Sequence, residues 1–485
     1  MSPSEISLED RECDTLVLGA GPGGYTAAFR AADLGQKVIL VERYAALGGV
    51  CLNVGCIPSK AFLHAARVIT EADEMAGFGV RMGKPAVEAE NLRAWKNNVV
   101  KKLTDGLASL ARARQVQVVQ GTGSFTSPNT MTVQTAEGEK HIRFAHAIIA
   151  AGSSATRIPG FPYDHSALMD STGALDLQRI PEKMLVIGGG IIGLEMACAY
   201  DAFGTRVTIV EAAPQLVASA DADVARVLYD RISQRYDAVY LNTRVTALEP
   251  DGDLLLASLE GEDAPTEPQK FDKVLVAVGR RPNGRAIGAE NAGVHIDEAG
   301  FIPVDSEQRT NISHIFAIGD ICGEPMLAHK ASAQGKVAAE VIAGKKVAFD
   351  VQTIPSIAYT DPEIAWMGLT EREAKSKGIP YEKSVFPWSA SGRALTMARD
   401  DGLTKLIWDA QTRKIMGGAI AGMNAGELLA ELVLALEMGA DLEDLALTVH
   451  AHPTLSETVM LAAEAGLGSI TDLYLPKKRN HQAGI

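Results

Sequence analysis

One pattern occurs twice in this chain and restricts its fold more than any other feature. Asp14-Thr-Leu-Val-Leu-Gly19-Ala-Gly21-Pro-Gly-Gly24 runs a short apolar strand into Gly-x-Gly-x-x-Gly. A helical stretch from Tyr25 to Leu34 follows, then a second strand, Lys37 to Val41, ending at Glu42. Lys183-Met-Leu-Val-Ile-Gly188-Gly-Gly190-Ile-Ile-Gly193 repeats the arrangement, with the strand Arg206 to Val210 ending at Glu211. In both copies the acid stands 23 residues past the first glycine. Glycines let the backbone close on a pyrophosphate, the helix N-terminus offers unpaired N–H donors, and the acid takes a ribose hydroxyl. A lone glycine motif marks only a tight turn; with strand, helix and acid in place it predicts a dinucleotide site. Two such sites predict two nucleotides and electron transfer between them.

The second acid also selects its ligand. Glu211 can accept from a free ribose 2′-hydroxyl but repels a 2′-phosphate. Ala212 and Ala213 follow it, with no arginine placed to hold that phosphate. NAD is expected over NADP, unless Glu211 merely ends a strand in solvent.

Composition serves mainly to exclude. A length of 485 residues predicts two to four domains. Lys and Arg number 46 against 60 Asp and Glu, a net charge of -14, which argues against nucleic acid or an anionic membrane as partner. No run approaches the roughly 18 apolar residues of a membrane span; the stretch from Glu427 to Ala440 is interrupted by Glu431 and Glu437. Met1 to Asp10 is polar and acidic, unlike a secretory signal. A soluble, cytoplasmic protein is expected.

Ala147 to Gly152, Lys273 to Arg280 (through Gly279) and Ile315 to Asp320 each read as a buried strand running into a turn. By itself Asp320 reads as a turn or cap residue. Beyond about residue 350, Ile354 to Tyr359 and Leu403 to Trp408 look like strands of a mixed sheet, and Gly426 to Met438 has helical apolar spacing. The expected class is α/β, with two Rossmann-like dinucleotide-binding domains and a C-terminal α+β domain.

The five cysteines are Cys13, Cys51, Cys56, Cys198 and Cys322, an odd and sparse count for a secreted disulfide scaffold. Two of them lie in Gly48-Gly49-Val-Cys51-Leu-Asn-Val-Gly55-Cys56-Ile-Pro58-Ser-Lys60. In a straight helix that spacing puts the Cα atoms roughly 8–9 Å apart, whereas a disulfide wants about 4.4–6.8 Å. Gly55 lets the segment bend, and Pro58 removes a helical hydrogen bond nearby. A bond held in distorted backbone is readily reduced. The alternatives are two unrelated thiols or half of a zinc site; zinc needs a second ligand pair, and none of suitable spacing stands nearby. Beside two dinucleotide sites the pair predicts a redox-active disulfide.

Thiol exchange also needs a base. Val449-His450-Ala451-His452-Pro453-Thr454-Leu455-Ser456-Glu457 offers an imidazole, suited to proton transfer near neutral pH. Glu457 lies where the first turn of a helix could return its carboxylate to His452, fixing the ring's tautomer. His450 is the competing candidate.

Cys51-Leu-Asn-Val-Gly-Cys56-Ile-Pro-Ser-Lys60 and His452-Pro-Thr-Leu-Ser-Glu457 closely resemble motifs of the disulfide flavoprotein reductases, most of all the dihydrolipoamide-oxidising branch. The likeness runs from about Asp14 to about Pro476. It implies FAD on Gly19, Gly21, Gly24, Glu42 and Gly49, with Lys60 near the flavin and paired with Glu195. Gly123, Gly152, Asp320 and Ala328 would add FAD contacts. NAD would sit on Gly188, Gly190, Gly193 and Glu211, with Gly279 and Arg280 at its edge. Cys51 would exchange with the substrate and Cys56 would face the flavin in a charge-transfer pair. His452 and Glu457 would serve the disulfide of the other subunit of a homodimer. No metal is implied.

The activity so implied is reoxidation of protein-bound dihydrolipoamide, with electrons passing through the cysteine pair and FAD to NAD. The partner would be a lipoyl-bearing acyltransferase of a 2-oxoacid dehydrogenase complex or the H protein of glycine cleavage. The expected domains are 1–155 for FAD, 156–281 for NAD, 282–350 completing the FAD domain, and 351–485 for dimerisation. Glutathione reductase-like members would need basic residues where Glu211, Ala212 and Ala213 stand, and mercuric reductase-like members a C-terminal cysteine pair, absent after Cys322. A reading from another class is a non-catalytic redox sensor, which needs neither His452 nor Glu457.

Overall fold

The computed structural model describes residues 11–83 and 85–474. Met1 to Asp10, read above as lacking a secretory signal, and Pro476, where the likeness ends, lie outside the described residues. The chain divides into two units, Met1–Pro181 with Leu275–Asp350, and Glu182–Val274 with Val351–Ile485. The breaks thus fall at 181/182 and 274/275, where sequence reasoning set 155/156 and 281/282. Packing explains the difference. Buried Lys96 donates to the Leu175 carbonyl at 2.9 Å, holding that stretch to the first unit. The short strands Ser153–Ala155 and Arg280–Pro282 pair antiparallel within it.

In the first unit, β1 (Arg11–Leu18), α1 (Pro22–Asp33) and β2 (Val38–Glu42) form one crossover, with Thr15 opposite Val38 and Leu18 opposite Val41. Gln117–Gln120 extends the parallel set beyond β2, and Gly138–Ile149 and then Ile315–Ala317 extend it beyond β1. Parallel strands are covered on both faces, which is why they read as unbroken apolar runs. Leu16, Val17, Leu40 and Ile148 are fully buried. After β2 come α2 (Gly49–Val54) and α3 (Cys56–Glu74), separated by Gly55 alone.

In the second unit, β3 (Lys183–Ile187), α4 (Ile191–Ala202) and β4 (Arg206–Val210) repeat the first crossover, with Ala238–Tyr240 alongside β4. Arg244–Asp251, Leu254–Glu260 and Gln269–Phe271 form a separate three-stranded sheet, and the part of this unit from Val351 onward holds a sheet of five strands in the order Ser356–Ala358, Glu363–Gly368, Ile415–Gly422, Leu403–Asp409, Tyr381–Pro387. Every pairing among them is antiparallel, so the sheet is not the mixed one expected. The reason is connection length. Short turns such as the one between Asp409 and Ile415 allow hairpins, while a parallel pair needs a crossover of a dozen residues or more. The helices Ala425–Glu437 and α5 (Glu457–Leu467) pack on this sheet around Trp388, Leu406, Ile420, Leu429 and Val459. Among the described residues no helix is long and apolar enough to cross a membrane.

Candidate active site

The turn between β1 and α1 uses its glycines differently. Gly19 has φ +98°, and a Cβ there would lie 2.3 Å from the Ala150 carbonyl oxygen. A Cβ on Gly24 would strike the Gly19 oxygen at 1.8 Å, whereas at Gly21 nothing stands within 4 Å. Gly19 and Gly24 close the turn, and Gly21 leaves the open approach a pyrophosphate needs. No side chain caps α1, which starts at Pro22, so its first-turn N–H groups are available to an anion. Buried Glu42 braces the turn: Oε2 accepts from the Ala20 N–H at 2.8 Å and Oε1 from that of Tyr44 at 3.0 Å.

The second copy has the same construction. Gly190 faces open space and α4 has no side-chain cap. Gly188 has φ +111°, and Gly193 is buried in the helix. Glu211 accepts from the Gly189 N–H at 2.6 Å and the Ala213 N–H at 2.7 Å. Each acid therefore holds its glycine turn and keeps lone pairs for a ribose hydroxyl. Both sites fit a dinucleotide. Glu195, buried on α4, accepts from the Tyr359 N–H at 3.1 Å.

The cysteine helix is fastened to the first glycine turn. The Gly48 N–H donates to the Ala20 carbonyl at 2.8 Å, and a Cβ on Gly49 would lie 2.6 Å from the Gly21 Cα. Asn53, which sequence reasoning passed over, ties α2 back through its Nδ2 to the Leu47 and Gly49 carbonyls at 3.1 and 2.9 Å. The helix breaks at Gly55, where a side chain would press on the Val50 carbonyl oxygen at 2.9 Å. Pro58 does not cost the helical hydrogen bond expected of it. It is the third residue of α3, whose first bond is Ser59 N–H to the Gly55 carbonyl at 3.0 Å.

The Cys51 thiol is hydrogen-bonded to Cys56. That bond, with burial adding to it, holds the Cys51 thiol well above the ordinary range, while the Lys60 ammonium works the other way. Tyr25 of α1, also overlooked in the sequence, is raised by burial and by the charge of both cysteines, which places its hydroxyl in their field. The remaining cysteines are raised chiefly by burial. Burial pushes Cys13 and Cys322 up to about 12 and Cys198 to about 11.

The helix Ala328–Ile342 packs on the start of α1: a Cβ on Gly23 would lie 2.9 Å from the Ala331 carbonyl oxygen and 3.1 Å from Ile318 Cδ1, two residues before Asp320. Gly152 has φ +65° and open space around it, and Gly279 has φ +118°. Arg280 and Asp320 meet through Ser153, a residue no motif singled out. Gly123 does not line open space. A Cβ there would lie 2.7 Å from Met131 Sδ and 2.8 Å from Leu18 Cδ1, so this position has no room for a side chain.

The two histidines separate by their partners. His450 is only 7% exposed, with Nδ1 2.8 Å from the Thr448 carbonyl oxygen and Nε2 2.7 Å from Glu431 Oε1. Both of its nitrogens lie against protein oxygens, so neither is open to a substrate. His452 is 79% exposed; its Nδ1 lies 2.9 Å from Glu457 Oε1, and Nε2 is open. Glu457 opens α5, and its other oxygen accepts from the Thr454 N–H at 2.8 Å.

Comparison with known proteins identifies the family. Residues 13–335 match the family described as pyridine nucleotide-disulphide oxidoreductase, and residues 354–463 match its dimerisation domain. The dihydrolipoyl dehydrogenase of Vibrio cholerae is 54% identical over 462 residues, 95% of this chain and 97% of that protein. The dihydrolipoyl dehydrogenase of Haemophilus influenzae is 52% identical over 459 residues, 94% of this chain and 96% of that one. A solved Cu(II) complex of the HOCl-induced flavoprotein disulfide reductase RclA from Escherichia coli superposes with a TM-score of 0.84 at 26% identity, covering 94% of this chain and 99% of that one.

Proposed function

The chain belongs to the pyridine nucleotide-disulphide oxidoreductases, and from that we propose how its own residues carry out the reaction of a dihydrolipoyl dehydrogenase. It is an oxidoreductase that uses FAD and NAD. FAD is held by the first turn, Glu42, Gly49, Lys60, Gly123, Gly152, Asp320 and Ala328. NAD is held by Gly188, Gly190, Gly193, Glu195 and Glu211, with Gly279 and Arg280 at its edge. The observation that carries the reading is the adjacent pair, Cys51 on α2, which is pinned to the first glycine turn, and Cys56 at the start of α3.

In the oxidised enzyme the two cysteines form a disulfide. His452 takes the proton of one dihydrolipoyl thiol at Nε2, and Glu457 keeps the other ring nitrogen protonated. The resulting thiolate attacks Cys51 Sγ, the Cys51–Cys56 bond breaks, and Cys56 leaves as thiolate. The second substrate thiol then displaces Cys51, closing the lipoyl disulfide and leaving both enzyme cysteines reduced. Bound FAD supplies the two-electron relay from this dithiol to NAD. One disulfide alternating between states gives ping-pong kinetics.

His452 is exposed with Nε2 open, as a base serving a neighbouring protomer's cysteines must be. A homodimer follows, with His452 and Glu457 of one subunit acting on Cys51 of the other. The natural substrate is a lipoyl-bearing acyltransferase or the glycine cleavage H protein, and the setting is the cytoplasm. A redox sensor has no use for an oriented base, so the His452–Glu457 pair favours the enzyme. Replacing Cys51 with Ser is the test. The variant is expected to purify yellow with FAD yet form no NADH from dihydrolipoamide and NAD; wild-type turnover would contradict the proposal.

A further inference from the structure

Within the first unit one hydroxyl joins the arginine assigned to the NAD edge to the aspartate assigned to FAD. Ser153 is 5% exposed and opens the short strand Ser153–Ala155, opposite Pro282 of the strand Arg280–Pro282. Its Oγ lies 2.5 Å from Asp320 Oδ2 and 2.7 Å from Arg280 Nε, and Arg280 Nη2 also donates to the Ser153 carbonyl at 2.7 Å. The polarity of this chain is forced. A guanidinium has no lone pair, so Arg280 donates to the hydroxyl, and the single hydroxyl proton goes to the carboxylate. Asp320 Oδ2 is thereby committed, while Oδ1 accepts no hydrogen bond among the described residues. The backbone around it is stapled too: Asn283 donates through its N–H to the Gly152 carbonyl at 3.0 Å and through Nδ2 to the Ala151 carbonyl at 2.8 Å.

We propose that Ser153 is a positioning residue of the flavin site, which transmits the fixed geometry of Arg280 to Asp320 and so presents Oδ1 to a hydroxyl of FAD. This rests on the reading that Asp320 contacts FAD. It gives Arg280 a part in flavin binding as well as its place at the nicotinamide nucleotide. Local sequence carries no sign of the arrangement, because the three residues are brought together by the pairing of Ser153–Ala155 with Arg280–Pro282.

The test is FAD affinity of the deflavinated protein, read from quenching of flavin fluorescence, for Ser153→Ala, Asp320→Ala and the double variant. A hydrogen bond to a charged group predicts about tenfold weaker FAD binding for Ser153→Ala. Because serine acts through the aspartate, the double variant should bind no more weakly than Asp320→Ala alone. Ser153→Thr, which keeps the hydroxyl, should recover most of the affinity, and it separates the relay from mere folding of the strand. Unchanged affinity in Ser153→Ala, additive losses in the double variant, or a folded Ser153→Thr as weak as the alanine would each overturn the relay. An Asp320→Ala variant with wild-type affinity would instead remove Asp320 from the flavin site, and the relay with it.

Discussion

Glu457 holds His452 by its Nδ1 at 2.9 Å, and its second carboxylate oxygen is taken by the Thr454 N–H. The ring is thereby fixed in one tautomer with Nε2 as the lone-pair nitrogen. His452→Gln removes the base and should lower kcat for dihydrolipoamide on the order of a hundredfold or more. Glu457→Gln keeps the imidazole but loosens its orientation, so a smaller loss, about tenfold, is expected. Steady-state rates with both variants check this; a His452→Gln enzyme at wild-type speed would remove the base from the mechanism.

Glu211 has two duties, and its replacement should affect both. It braces Gly189 and Ala213 through their N–H groups, and it places negative charge where a 2′-phosphate would lie. Glu211→Ala should lower kcat/KM for NAD about tenfold or more while leaving NADP no worse, so the preference between them narrows. Kinetics with each nucleotide measure the ratio. A preference as large as in the unaltered protein would mean that the acid only supports the turn.

Gly49 is required by both backbone and space. Its φ is +57°, and a Cβ would sit 2.6 Å from the Gly21 Cα. Left-handed backbone alone costs an L-residue about 1–2 kcal/mol, and the contact would push α2 away from the first turn. Gly49→Ala is therefore expected to purify with substoichiometric flavin, read from its visible absorbance. Full flavin content would show that the two segments separate without consequence.

Lys405 predicts an acid limit for the second unit. Its side chain is fully buried and ion-paired with Asp221 at 3.0 Å, Asp223 at 2.9 Å and Glu371. Burial opposes ionisation of Glu371, but hydrogen bonds from Lys383, Lys405 and Tyr381 outweigh it and bring its pKa down to about 2. The folded value lies below an unfolded value of about 4.3. This acid's stabilisation is therefore present above that pH and lost as pH falls through about 2. Glu371→Gln should cost about 2–3 kcal/mol at neutral pH and flatten the loss of melting temperature between pH 4.5 and 2. Lys405→Met, which leaves three carboxylates facing one another, should cost more, about 3–5 kcal/mol. Identical acid sensitivity in Glu371→Gln and the unaltered protein would refute this account.

What could be read in advance was what short-range spacing encodes. Gly19, Gly21, Gly24 and Glu42 announce their crossover because a strand, a turn and a helix must follow one another for the motif to work, and the same holds from Gly188 to Glu211. Gly55 announced the break between Cys51 and Cys56 because helix geometry forbids the bond otherwise. Where contacts join distant segments the pattern was silent. His450 competed with His452 on paper, and Glu431 of the helix Ala425–Glu437, outside the motif, is what engages His450. Ser153 has its meaning from Arg280 and Asp320, far along the chain. The mixed sheet expected after residue 350 is antiparallel, since alternation within Leu403–Asp409 tells of its faces and nothing of its neighbours' direction. Lys405, a charge in mid-strand, drew no comment from its sequence, because the Asp221, Asp223 and Glu371 that pair with it come from distant segments.

The most direct test of the whole reading is NADH formation by the purified, FAD-loaded protein given dihydrolipoamide and NAD, with NADP in a parallel cuvette. Rapid turnover with NAD and little with NADP is the predicted result. A yellow protein that leaves dihydrolipoamide unoxidised while reducing some other disulfide would contradict it.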